Sequence, residues 1–290
     1  MSSETLVSPR QVARAVGVSE SSLKRWCDRG LIPTVKTAGG HRRMPISGVM
    51  KFLRSTGQTL VRPEELGLPS AAGEAKRAIG DAAHDIARAL IDGNEAIARR
   101  IVTDLYVAGH SATELCDRVL APAFEQVGKE WECGAAEVYQ ERWACESCER
   151  ILNELRVLIA PAEETGPIAC GGTLGGDYYT LPTRMVELTL REAGWRATSL
   201  GSNLPAATLA AAIRAVRPRL FWISVSHIPQ FDRFHADLRL LQQTAGSRTT
   251  LVLGGRALTA EVTRGLGEIV VLQGMQPLRA FAAALVRKRK

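Results

Sequence analysis

Two groups of residues in this chain have types and spacings that could do chemistry. The first is basic. Lys24 and Arg25 lie in a short stretch of helical pattern, and His41, Arg42 and Arg43 follow Gly39-Gly40 in what reads as a tight turn. Clustered cations release counterions when they meet phosphates, so the cluster points to a polyanion partner, and Ser21 and Ser22 add short hydrogen-bonding groups beside it. The second group is spread over the carboxy-terminal part. It runs from Asp177-Tyr178-Tyr179-Thr180-Leu181-Pro182, across forty-one residues to Ser224-Val225-Ser226, and across twenty-seven more to Gly254-Gly255. Phenols, hydroxyls and glycines suit the holding of a ligand rather than its transformation, and His227 offers one further polar contact. No acid/base pair, no nucleophile with a positioned base and no phosphate loop with its lysine stands out, so the chain reads as a non-enzyme with no catalytic residue.

The charge divides as the chemistry does. The net charge of +7 conceals a net of +8 in residues 1–62, +4 in the last four residues, Arg287-Lys288-Arg289-Lys290, and −5 in between. A basic module on an acidic body predicts nucleic acid at one end only, and the basic tail reads as a solvated helix end. With 290 residues, 46% hydrophobic and 23% charged, the chain has enough apolar material for two or three domains. No apolar run has the length of a membrane span, no secretory signal is read at the start, and six irregularly spaced Cys do not form a disulfide framework. These features predict a soluble, cytoplasmic protein.

Three modules must position the two groups. Residues 1–62 read as a winged helix–turn–helix. Residue Ser8 precedes a first helix, Ser19 caps a second from Glu20 to Arg29 with Leu23 and Trp26 inward, and Gly39-Gly40-His41-Arg42-Arg43 makes the wing. Residues 63–74, rich in Pro and Gly, read as a linker. Residues 75–162 are helical throughout and predict a four-helix bundle, with faces at Ile79–Leu90 and Ile97–Leu105, a capping box at Ser111–Glu114, and a last helix over about 135–159. From 166 to 290 short apolar runs at 168–170, 197–200, 220–225, 251–253 and 269–272 alternate with helical stretches. That alternation predicts a parallel sheet covered on both faces, with ligands bound beyond the carboxyl ends of its strands. The expected fold class is therefore multidomain: winged helix–turn–helix, four-helix bundle and an α/β Rossmann-like domain.

Residues 5–57 resemble the MerR-type winged helix–turn–helix, notably in Leu23-Lys24-Arg25-Trp26-Cys27-Asp28-Arg29-Gly30-Leu31-Ile32-Pro33. The resemblance implies binding of a double-stranded DNA operator by a homo-oligomer, dimer or tetramer, through Ser21, Ser22, Lys24, Arg25, His41, Arg42 and Arg43. Residues 166–290 are similar to the cobalamin-binding domain of methionine-synthase-like proteins, whose motif is Asp-x-His-x-x-Gly, then Ser-x-Leu, then Gly-Gly. In the bundle, Trp131 followed by Glu141-Arg142 resembles the Trp and Glu-His signature of light-sensing MerR regulators of the CarH type.

The departures carry the expectation about the ligand. Tyr179 stands where the resemblance implies the lower cobalt-binding His, Arg142 where it implies the upper one, and Pro182 replaces the motif Gly. Imidazole is a good metal ligand, a guanidinium is none, and a neutral phenol is a poor one. The expected ligand is a metal-free tetrapyrrole, biliverdin, held between bundle and α/β domain. Arg142 would pair with a propionate, and Trp131, Tyr178 and Tyr179 would stack on its rings. Glu141, Asp177, Ser224, Ser226, His227, Gly254 and Gly255 complete the expected site. Light would then change the ligand's shape and so adjust DNA binding. Two alternatives stay open: cobalamin bound base-off or by its tail through Ser224, Ser226 and the glycines, and a domain that works without ligand. A corrinoid methyl-transfer protein is a further one, opposed by the DNA module. Cys145 and Cys148, with Cys133 upstream, read as buried hydrophobes rather than a metal site.

Overall fold

The computed structural model describes residues 5–69, 79–264 and 269–287, which form two compact units, Met1–Ala160 and Pro161–Lys290. The basic tail beyond Arg287 and the part of the expected linker from residue 70 onward lie outside the described residues.

The first unit begins with the winged module: β1 (Leu6–Val7), α1 (Pro9–Val16), α2 (Glu20–Asp28), β2 (Val35–Lys36), β3 (Arg42–Pro45) and α3 (Ile46–Thr56). Ser8 and Gln11 make a reciprocal capping box on α1, and Gly17 ends it in the left-handed conformation, φ 75°, that glycine adopts without strain. The strands pair antiparallel in the order β1-β3-β2. Residues Val12, Leu23, Ile32, Met44, Val49 and Met50 form the buried centre. Residues 63–69 depart from the expected linker. Pro63–Leu66 makes one 3-10 turn against α1, with Pro63 and Leu66 buried, because those two apolar side chains have a surface to cover.

The bundle follows as α4 (Ile79–Ile91), α5 (Glu95–Val107), α6 (Ala112–Leu115), α7 (Ala121–Glu132) and α8 (Val138–Leu158). Here α6 and α7 form one rod interrupted by a π turn at Cys116–Leu120. Pro122 causes the interruption: it lacks an N–H and its ring would strike the carbonyl four residues back, so Ala121 N–H reaches back to Cys116 O instead. The Ser111–Glu114 box starts the rod as the sequence predicts. Ile97, expected on the inner face of α5, is exposed; Ala98, Ile101, Val102 and Leu105 fill the core in its place.

The second unit is doubly wound. Strands β4 (Ile168–Gly172), β5 (Arg196–Ser199), β6 (Leu220–Ser224), β7 (Thr250–Gly254) and β8 (Val270–Val271) alternate with α9 (Leu181–Glu192), α10 (Ala206–Val216), α11 (Phe231–Ala245), α12 (Ala260–Thr263) and α13 (Met275–Arg287). All five strands are parallel in the order β5-β4-β6-β7-β8, so the connections reverse direction at β4, where such sheets open their ligand crevice. One face packs on α9 and α13 around Trp195, Leu220 and Trp222; the other packs on α10 and α11 around Phe221, Ile223 and Leu253. No described helix is long and apolar enough to cross a membrane.

Candidate functional site

In the winged module the core fixes which residues face outward. Ser19 accepts the Ser22 N–H at 3.1 Å and starts α2. Leu23 is fully buried and Trp26 lies against Phe52 with ring centroids 4.8 Å apart. Helical spacing then leaves Ser21, Lys24 and Arg25 exposed on one face, with Arg25 donating to Ser22 Oγ at 3.1 Å. The wing turn is closed by Thr37 N–H on His41 O at 2.9 Å and Gly40 N–H on Thr37 O at 2.8 Å, which puts His41 at the exposed tip. Arg42 reaches Asp28 at 3.0 Å and ties the wing to the end of α2. Between them runs a groove of about 350 Å³ lined by Pro9, Glu20, Ser21, Leu23, Lys24, Cys27 and Arg42. All seven residues expected to meet DNA belong to α2 or the wing hairpin.

In the bundle, Trp131 closes α7 with 47% of its surface exposed. Glu141 and Arg142 sit in the first turn and a half of α8. The Arg142 side chain is 75% exposed and touches Glu141 at 3.5 Å, so the guanidinium is available to an outside partner. Tyr139 and Trp143, exposed neighbours on α8, extend this surface without any motif to announce them. The Cys145 thiol donates to Glu141 Oε1 at 3.5 Å; burial, helped by that carboxylate, pushes it up to about 12. Burial also raises Cys148. The described residues hold no group of three or more His, Cys, Asp and Glu side chains suited to a metal ion.

In the α/β unit, Asp177 is 2% exposed and its carboxylate is spent on the backbone. Oδ1 accepts Tyr179 N–H at 3.1 Å, and Oδ2 accepts Ser226 N–H at 2.6 Å and His227 N–H at 3.2 Å. Burial nevertheless raises its pKa, outweighing the three N–H groups that pull the other way. Asp177 therefore fastens the loop after β4 to the loop after β6. Above it stand Tyr178, 67% exposed, and Tyr179, 42% exposed, with the Arg256 guanidinium 4.6 Å over the Tyr179 ring. His227 is exposed beside them, while Ser224 and Ser226 are buried. Arg256 was not marked by the motif, and its place directly after Gly254-Gly255 is the only sequence signal for it.

Residues 6–57 match the family model described as a helix-turn-helix domain, and residues 82–156 and 167–282 match two models, each described as a B12 binding domain. The HTH-type transcriptional repressor CarH of Myxococcus xanthus is 28% identical over 157 residues, 54% of this chain and 52% of that protein. The chain is CarH-like, with cobalamin-binding-type domains behind a helix–turn–helix. The repressor CarA of the same organism is 24% identical to this CarH-like chain over 225 residues, 74% of the chain and 75% of the relative. The match to CarH thus spans about half of CarH's length. The monomethylamine corrinoid protein of Methanosarcina barkeri has the same fold, with a TM-score of 0.57 and 17% identity over 74% of this chain and 100% of that one.

The matched family models bring B12, not biliverdin, to the domain type. The residues of this CarH-like chain do not fit cobalt. Tyr179, where the resemblance implies the lower His, is a phenol under the Arg256 guanidinium, and Arg142, where it implies the upper one, is a guanidinium; neither offers the neutral nitrogen that coordinates well.

Proposed function

We propose that this chain is a DNA-binding transcriptional regulator of MerR type, acting as a homo-oligomer on a double-stranded operator. The observation that carries it is the exposed side of α2 with Ser21, Lys24 and Arg25, next to the wing hairpin that bears His41, Arg42 and Arg43, with Ser21, Lys24 and Arg42 lining one groove. Helix α2 enters the major groove, with Lys24 and Arg25 toward base edges, and the wing cations take phosphates. The repressor relatives support this reading and a non-catalytic role. The test is duplex binding across a salt series. A regulator of this kind loses affinity steeply with salt, and a chain that ignores salt and duplex alike is not one.

The two B12-type domains are the regulatory body. Cobalamin is the ligand that the relatives favour. The finer reading, light sensing through biliverdin, rests on the donor set alone: Arg142 for a propionate, with Trp131, Tyr178 and Tyr179 for the pyrrole rings. Absorption spectra of the chain after separate incubation with biliverdin and adenosylcobalamin, dark and illuminated, distinguish the two. A red to near-infrared band supports the first, near-ultraviolet and green bands the second, and neither band leaves a platform that works without ligand.

A further inference from the structure

The small residues at the strand ends are already engaged by the chain itself. Trp222 and Ser224 are two apart on β6 and face the same side of the sheet, toward α9 and α13. Trp222 lies opposite Gly171 in the β4–β6 ladder, and a Cβ on Gly171 would come within 2.5 Å of the indole ring. The indole is 2% exposed, and its Nε1–H donates to Thr183 Oγ1 at 2.8 Å, in the first turn of α9 directly after the Asp177–Pro182 loop. Thr183 Oγ1 in turn meets Ser199 Oγ at 3.1 Å, at the end of β5. Gly254 and Gly255 are used in the same way: a Cβ there would stand 2.8 Å from Leu272 O and 2.3 Å from Val225 O.

We propose that the Trp222 indole, seated on Gly171 and tied to Thr183, fills the strand-end slot beneath the Asp177–Pro182 loop and excludes the tail of a cobalamin from this domain. The tail ends in a planar bicyclic base of nearly the size of an indole, and a close-packed interior does not hold both. Loss of the His ligands and closure of the slot are thus two separate departures from the B12-binding domain type. Restoring one does not restore the other.

The experiment incubates the full chain and three variants with hydroxocobalamin and, separately, adenosylcobalamin, then passes them through gel filtration and reads corrinoid absorbance in the protein peak. The variants are Tyr179→His, which returns the donor; Trp222→Ala, which opens the slot; and the two together. The expected result is no retained corrinoid in the unaltered chain or in Tyr179→His, and stoichiometric retention in the double variant. Retention by the unaltered chain or by Tyr179→His alone overturns the proposal. So does a folded double variant that retains nothing. Should Trp222→Ala fail to fold, Trp222→Leu, which keeps the apolar contact to β4 while removing most of the ring, carries the same comparison. Duplex binding is read on the same samples, so a failure of the regulator reading and a failure of the closed slot are separate outcomes.

Discussion

The winged module and the α/β domain are marked in the sequence with equal clarity, and the structure puts their marked residues in opposite surroundings. Lys24, Arg25 and His41 stand in solvent on elements whose apolar sides, Leu23 and Trp26 among them, hold the module together. Asp177, Ser224 and Ser226 are buried, and the Asp177 carboxylate is satisfied by N–H groups of its own chain. A charged group that folding leaves in water is available to a partner. One whose hydrogen bonds are complete inside the fold serves the fold first. If the contrast is real, substitutions in the α/β domain must cost stability, and those in the winged module must cost DNA affinity and little stability.

The largest expected effect belongs to Trp222. Its indole fills a closed space and its N–H has a buried partner, so Trp222→Ala combines reduced burial, a cavity and the loss of one of the two hydrogen bonds of the Thr183 hydroxyl, which keeps Ser199. Urea denaturation should show a loss of about 4 kcal/mol. A loss below about 1 kcal/mol would mean that the neighbours collapse onto the space, and the slot would not be a slot.

Asp177→Ala comes next, at about 3 kcal/mol, because it leaves three backbone N–H groups without their acceptor. The pH dependence sharpens the point. Burial raises the Asp177 pKa, so its contribution is complete below about pH 4, the unfolded value, and is lost as pH rises through the folded value. Glu114 in the bundle's capping box has the opposite sign. The Ser111 N–H lowers its pKa, so its contribution is present above about pH 4 and lost as pH falls through the folded value. Asp177→Asn should remove the downward trend on the alkaline side of pH 4, and Glu114→Gln the one on the acid side. Melts across that range check both.

A smaller effect tests how the winged module is attached. Arg54 of α3 donates to the carbonyls of Tyr106, Gly109 and His110 at the end of α5 and lies 4.0 Å over the Tyr106 ring. Those carbonyls are the open negative end of a helix, where a cation is well placed. Arg54→Ala should cost about 2 kcal/mol by thermal or urea melts. Arg54→Lys should recover only part of it, since a compact ammonium lacks the planar fork that spans these carbonyls from two nitrogens while stacking on the Tyr106 ring.

What the sequence showed and what it withheld follow from one distinction. Local signals were legible: Ser19 and Ser111 cap helices as read, the first helix starts after Ser8, and the βα alternation gave a parallel sheet. The glycines at the strand ends were legible as small but not as to why, because Gly171 answers to Trp222, fifty-one residues away in the chain and beside it in the ladder. Arg54 on Tyr106 and Arg256 on Tyr179 are likewise long-range pairings with no periodicity to betray them. Pro122 marks an interruption of the helix read through Leu115 and Val127, but not that it takes the form of a π turn.

The smallest effect on stability is expected where the functional effect is expected to be clearest. Arg42 and Arg43 are half-exposed on β3, and the Arg42–Asp28 pair at 3.0 Å is open to solvent on both sides. Exposed pairs of this kind contribute about 0–1 kcal/mol, so the double change Arg42→Ala/Arg43→Ala should leave the melt almost unchanged. Duplex affinity should fall on every sequence alike, since phosphates carry no sequence information. The slope of log affinity against log salt should flatten by about one unit for each phosphate no longer neutralised. Lys24→Ala and Arg25→Ala should instead narrow the gap between operator and random duplex, because side chains on base edges discriminate and those on phosphates do not. An unchanged salt slope in the wing variant, with the fold intact, would remove the wing from the interface. An unchanged operator preference in the α2 variants would mean that sequence is read elsewhere, and the outward face of α2 would then be a solvated helix side.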